Sequence, residues 1–266
     1  MEIFQYTFFQ NALIGVVIVS IISAMIGTYI ITRRLMFITG GVTHACFGGL
    51  GLGYYLGVSP VFMAGVFAVA SSLGVEWLTT KHRVREDSAI SVMWALGMAI
   101  GTLFIFLTPG YVPELNSFLF GNILTITRGD LVAFSVFMVI FIAFFVLCYK
   151  VIVLCAFDQD FARTKGLPVA FINTIMMVAI AICVVLTVRL IGIMLLMSLL
   201  SMPQMIAEVF ACRLKPMIIL SVLVSAVSSV IGLLLSYMMG VPASAMIVLV
   251  LVAIYIVSRV LKRCNN

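Results

Sequence analysis

"NALIGVVIVSIISAMIGTYIITRRLMFITGGVTHACFGGLGLGYYLG", residues 11–57, decides the fold. Its first 22 residues carry no charged side chain, Arg33 and Arg34 interrupt it, and the apolar stretch that follows holds seven glycines and one histidine. A bilayer's hydrocarbon core is about 30 Å thick and is crossed by about 20 helical residues, so an uncharged run of this length reads as a membrane span. The composition of the whole chain agrees. It is 266 residues long, 64% hydrophobic and only 9% charged, where ordinary globular chains carry roughly a quarter charged residues. No soluble fold could hide that much apolar surface.

Further apolar runs give candidate spans at 10–32, 42–57, 61–80, 88–108, 131–150, 169–188, 191–208, 217–238 and 243–261. That makes nine. The second is short and rich in glycine, and only Arg189 and Leu190 separate the sixth from the seventh, so eight spans plus a broken or re-entrant piece is the alternative. The runs are continuously apolar instead of alternating, which excludes an outer-membrane barrel. Each spanning element must satisfy its own backbone, which leaves helices. The expected fold is all-α, a polytopic bundle of 8–9 helices, in one domain over residues 1–266. The first run has neither a basic leader nor a cleavage pattern and is expected to be retained.

Basic residues fall in every second connection: Arg33 and Arg34, "KHRVRED" (81–87), "DQDFARTKG" (158–166), "CRLK" (212–215), and Lys262 with Arg263. Basic loops stay on the cytoplasmic side. The amino terminus is therefore expected outside and the carboxyl terminus in the cytoplasm. This scatter also accounts for the net charge of +6 without a nucleic-acid partner. The six cysteines form no C-x-x-C pair and read as small hydrophobes. No phosphate-binding loop, H-E-x-x-H or G-x-S-x-G is present, so no catalytic residue is expected. Few carboxylates lie inside the spans to couple an ion gradient, so uphill transport would draw its energy from another subunit.

Within the second span Gly49, Gly53 and Gly57 recur every fourth residue, a face on which a neighbouring helix backbone can approach closely. His44, Gly48 and Gly51 fall near the opposite face. The helix is thus narrow on both sides, as one wedged inside a bundle would be. His44 carries two readings: a ligand on a translocation path, as intramembrane ionisable groups commonly are, or a structural imidazole bonded to a backbone carbonyl. Cys46, about 200° further round the helix, is a poor co-ligand. Glu76 is expected to snorkel to the interface beside Trp77. Met194, Met197, Met202 and Met205 are expected to fill packing gaps.

Several stretches together resemble the integral-membrane permease subunits of bacterial ABC importers for divalent metal cations, the zinc, manganese and iron type. Residues 33–57 are similar to the family segment in which a basic group precedes F-x-G-D-x-x-x-H-A-x-x-P-G. "REDSAIS" (85–91) resembles R-x-D-x-A-I-G, and "NSFLFGNIL" (116–124) resembles L-x-x-x-L-F-G-N-I-L. "FDQDFARTKGLPV" (157–169) and "VRLIGIMLLMSLLSMP" (188–203) resemble the blocks D-x-x-x-A-x-x-x-G-L and V-G-x-L-L-x-x-x-L-L-x-x-P. The resemblance covers essentially the whole chain in the family's order.

What it implies is a type II ABC-importer-like permease of the bacterial inner membrane, embedded in lipid. Two copies, identical or related, would enclose the path. Cytoplasmic ABC ATPase subunits would bind the ATP, and an extracytoplasmic metal-binding protein would deliver the cation. The chain itself would hold no cofactor, its metal being cargo. Asp158, Ala162 and Gly166 would belong to the ATPase-docking loop, together with Arg213 and Lys215, and Asp158 would cap a short helix there. Departures bear on the cargo. Gly40 stands where the family carries an aspartate one turn before the histidine, the family proline is replaced within "CFGG", and "QMIA" (204–207) replaces A-A-T-A. Imidazole without carboxylate places zinc or ferrous iron ahead of manganese by ligand preference. The alternatives are a non-metal cargo for the same architecture, or a carrier acting alone.

Overall fold

The computed structural model describes residues 7–109, 126–211 and 213–265; "NSFLFGNIL" and Cys212 lie outside them. Among the described residues there are eleven helices and no strand. They are α1 (Thr7–Thr32), α2 (Met36–Leu56), α3 (Pro60–His82), α4 (Glu86–Leu107), α5 (Arg128–Leu147), α6 (Tyr149–Phe157), α7 (Gln159–Thr164), α8 (Val169–Leu199), α9 (Met202–Phe210), α10 (Leu214–Met239) and α11 (Ala243–Asn265). An all-helical, multi-pass chain is what a low-dielectric interior demands, because each backbone N–H finds its acceptor inside its own element. Hydroxyls inside the helices do the same: Ser23 donates to Val19 O at 2.6 Å and Thr28 to Ala24 O at 2.7 Å.

Among the described residues eight helical segments are long and apolar enough to cross a membrane, the first being Phe9–Thr32 and the last Ala243–Lys262. α2 is not among the eight, since its glycines dilute its hydropathy. It is nevertheless a continuous 21-residue helix, about 31 Å long at 1.5 Å per residue. The expectation of a short second span starting at 42 is therefore corrected. Arg34, at φ 59°, closes the end of α1, and α2 is under way two residues later. The break between the sixth and seventh spans also moves. Arg189 and Leu190 lie within α8, and the non-helical residue is Gly192 (φ 78°, ψ 170°), a left-sided conformation that only glycine adopts at little cost. After Leu199 the helix stops, and Pro203 sits in the first turn of α9, where its missing N–H breaks no bond.

The helices fall into two compact units. One contains α1, α5, the second part of α8, and α9 to α11. There α1 packs on α10, α9 and α5, and α10 packs on α11. The buried side of α10 is a run of small residues, Ser221, Ser225, Ser228, Ser229 and Gly232, and a methyl group on Gly232 would lie 2.6 Å from the Ile247 Cα of α11. Gln204 is fully buried on α9 and donates through Nε2 to Ser23 O of α1 at 2.9 Å and to Leu199 O at 3.2 Å. That side chain satisfies a carbonyl freed where α8 ends. Gly27 leaves the room for it, since a Cβ there would collide with the same amide.

The other unit contains α2, α3, α4, α6, α7 and the first part of α8. Its centre is α2, held between α3 and α4. In both units the outward residues are apolar, such as Val92, Leu96, Leu103 and Phe106 on α4 and Val132, Val136, Val139 and Ile140 on α5. On a soluble protein such a belt would drive aggregation. In a bilayer it is the lipid contact.

Candidate functional site

The site is built on α2. Gly49 and Gly53 do face a neighbouring helix, and that helix is α3. A Cβ on Gly49 would run into the Met63 carbonyl and sit 2.7 Å from Ala64 Cα; one on Gly53 would lie 2.7 Å from Pro60 Cα. Gly57 is different and corrects the sequence reading. It ends α2 at φ 68° with nothing within 4 Å of its would-be Cβ, so it is a left-handed helix cap and makes no packing contact. On the opposite face Gly48 lies against α4, where a Cβ would be 2.9 Å from the Gly97 carbonyl, and Gly51 lies against Gly101. Gly97 and Gly101 complete that contact from the α4 side, meeting the backbones of Ala45 and Phe47. They form a G-x-x-x-G pair, a recognised close-packing signal that the sequence reading passed over.

His44 is half-buried and stacks on Trp94 of α4, with ring centroids 4.3 Å apart and planes within 10° of parallel. The backbone-carbonyl bond of the structural alternative is not what holds it. The ring is positioned through its face, and its two nitrogens, both in the ring plane, keep their donor and acceptor capacity. Among the described residues no group of three or more His, Cys, Asp and Glu side chains could hold a metal ion. Trp94 is the residue the sequence reading missed; an indole in mid-span was its signal.

Glu76 does not simply reach for an interface. It is half-buried on α3, and its Oε1 accepts a hydrogen bond from Thr174 Oγ1 of α8 at 2.8 Å. Trp77 beside it is half-exposed and meets His82 edge-on, with ring centroids at 4.5 Å.

The loop at 158–166 forms the expected capped helix. Asp158 Oδ1 accepts from Phe161 N at 2.9 Å at the start of α7, satisfying one of the amides that a helix start leaves free. Ala162 is fully buried. Gly166 follows the helix at φ 71°, and Leu167 N donates back to Ala162 O at 3.2 Å, a bond that only a left-handed residue at 166 allows. Phe161, Arg163 and Lys165 project outward from this frame, with Lys165 Nζ 5.5 Å from the Phe161 ring centroid. In the other unit, Arg213 is the exposed residue before α10 and Lys215 is exposed in its first turn.

Comparison with known proteins adds a family likeness along the length of the chain. Residues 5–262 match the ABC 3 transport family. A membrane protein of Synechocystis sp. is 38% identical over 259 residues, covering 97% of this chain and 92% of its own. The manganese transport system membrane protein MntC of Listeria monocytogenes is 31% identical over 254 residues, covering 96% and 90%. Among solved structures, PsaBC from Streptococcus pneumoniae, determined with a Fab, is similar with a TM-score of 0.83 at 27% identity, covering 97% of this chain and 92% of that one.

Proposed function

The chain belongs to the ABC 3 transport family, and from that premise we propose that it is the membrane-spanning permease subunit of an ATP-binding cassette importer for a divalent metal cation. The observation that supports this most is the extent of the likeness. The family match runs from residue 5 to residue 262 and so takes in every helix of both units. A permease of this type draws its energy from a separate subunit. In this reading cytoplasmic ATPase subunits bind and hydrolyse ATP, dock on α7 around Asp158, Ala162 and Gly166 and on Arg213 and Lys215, and push on the helices above. Two copies of the permease domain, residues 1–266, enclose the path, with amino termini outside and carboxyl termini in the cytoplasm of a bacterial inner membrane. A metal-binding protein outside delivers the ion.

The cargo is a first-row divalent cation. The named relative from Listeria is a manganese system, which supports manganese as the cargo in this reading. The lone imidazole at His44, with Gly40 one turn before it, is the ground for zinc, because imidazole without carboxylate suits zinc better than manganese. Uptake of radiolabelled manganese, zinc and ferrous iron into proteoliposomes holding the permease and its ATPase decides between them. The expected result is ATP-dependent accumulation of one ion, lost in His44→Ala with normal membrane insertion. Accumulation by the permease reconstituted alone would overturn the proposal.

A further inference from the structure

We propose that Trp94 is a positioning residue for transport, holding the His44 imidazole by its face so that the ring edge stays open to the passing cation. The inference rests on the reading of His44 as a path ligand. A metal binds an imidazole nitrogen through a lone pair lying in the ring plane. A partner stacked on the ring face therefore restrains the ring without occupying a donor. The stack has that geometry, with centroids at 4.3 Å and planes 10° from parallel.

Metal-ligating histidines are ordinarily oriented by a hydrogen bond from the second ring nitrogen to a carboxylate or carbonyl, which also raises their basicity. Here the indole takes over the orienting part. It supplies no charge, and the imidazole gains no basicity from it. Such a ligand meets an ion in a fixed direction and binds it weakly, which suits passage better than storage.

Trp94 is itself fixed at this level. One turn further along α4, Gly97 lies on the Ala45 backbone, next to His44. One turn earlier, a Cβ on Gly41 of α2 would collide with Ile90. These contacts hold the α2 and α4 backbones in register on either side of the stacked pair.

The chain has two tryptophans, so Trp77→Phe leaves Trp94 as the sole indole reporter. Manganese or cobalt ions, being paramagnetic, quench indole emission at contact distance. In the full-length Trp77→Phe protein in nanodiscs, either ion is expected to quench Trp94 saturably, with zinc competing the quench away and His44→Ala abolishing it. In the complex with its ATPase, Trp94→Ala is expected to raise the KM for the cation about tenfold, within the range seen when an orienting partner is lost, with kcat held and Trp94→Phe restoring most of the difference. Wild-type KM in Trp94→Ala where His44→Ala has lost uptake overturns the proposal while leaving the path reading intact, whereas no saturable quench in the folded protein overturns both, since an ion on His44 lies beside the stacked indole. Wild-type uptake in His44→Ala overturns the path reading itself, and the role of Trp94 with it. Should Trp94→Ala fail to reach the membrane, Trp94→Leu, which keeps apolar bulk but offers no ring face, carries the KM test: a raised KM is expected, and a wild-type KM overturns the proposal.

Discussion

Gly49→Ala and Gly65→Ala should move stability in opposite directions although both add one methyl group to a helix of the same unit. The helix-propensity gain is common to both, about 0.5–1 kcal/mol. At Gly65 little else changes, because the nearest atom to a new Cβ is Val185 Cγ1 at 3.9 Å, an ordinary contact. At Gly49 the methyl would strike the Met63 carbonyl and lie 2.7 Å from Ala64 Cα. Both obstacles are backbone, so no side chain can rotate away, and α3 must retreat from α2 by the better part of an ångström. A gap of 0.5–1 Å forfeits roughly a quarter to a half of each dispersion contact it opens. Overpacking a tight site costs about 1–3 kcal/mol.

Subtracting one variant from the other cancels propensity and leaves the contact. The expected difference is therefore about 1–3 kcal/mol, with Gly65→Ala at or above the wild type and Gly49→Ala below it. For a chain of this size 1 kcal/mol corresponds to about 2–4 °C in Tm, so thermal unfolding in one detergent, followed by loss of the monodisperse peak on size exclusion, resolves the pair. A Gly49→Ala protein that melts with or above Gly65→Ala would refute the close α2–α3 contact.

Thr174→Val removes the donor to Glu76 Oε1 and should cost about 1–3 kcal/mol, the range for a hydrogen bond to a charged or partly buried group; Thr174→Ser should recover most of it in the same melting assay. Asp158→Ala deletes the α7 cap and should destabilise that helix by about 1 kcal/mol. Because α7 is at the surface, the spans should still assemble, and the change should appear as weaker copurification of the ATPase, with Asp158→Asn close to wild type. Gln204→Met, of similar volume, leaves Ser23 O and Leu199 O without their side-chain donor and should lower Tm by several degrees, about 1–3 kcal/mol. A neutral outcome would mean that the amide is not bridging α1 and α9.

The spans were legible because hydropathy reads directly on the bilayer: the apolar runs of the sequence fall in helices, the fifth divided between α5 and α6 and the seventh between α8 and α9, and the boundaries of α3, α4 and α10 moved by only a few residues. The exceptions have local causes. The apolar run that begins at 42 left Gly40 and Gly41 outside the second span, yet both are buried within α2, and contacts such as that of Gly41 with Ile90 outweigh a glycine's poor helix propensity. Arg189 looked like a hairpin because charge marks interfaces, whereas the backbone breaks at Gly192, the residue able to adopt φ 78°. The glycine face of α2 was legible from its four-residue spacing, but spacing could not distinguish Gly57, whose environment is open, from Gly49 and Gly53. Asp158 was legible as a cap since capping is local. The Trp94 stack and the Glu76–Thr174 bond join residues 50 and 98 positions apart, and nothing local in the chain encodes such pairings.

The contacts around His44 also constrain how an ion could be released. α2 touches α3 through Gly49 and Gly53 and α4 through Gly48 and Gly51, at backbone distance on both faces. Turning or sliding α2 by a fraction of a helical turn would drive its Cα atoms into carbonyls on one side or the other. The imidazole therefore moves only when α2, α3 and α4 move together. α7 is built the opposite way. It is six residues long, stands on one buried alanine, and is held by a cap at its start and a left-handed glycine at its end, so a push on Phe161 or Arg163 meets a short rigid block and not a packed core. If ATP-driven motion enters there, alternating access would bring a different wall up to a fixed His44, and cross-linking α2 to α4 should leave transport intact. A disulfide between Tyr55→Cys and Phe104→Cys, whose rings meet across α2 and α4 with centroids 5.1 Å apart, tests this in the Cys46→Ser background without adding a Cβ at a glycine contact. Retained uptake after oxidation supports a fixed ligand, and uptake that stops on oxidation and returns on reduction would show that α2 must move against α4.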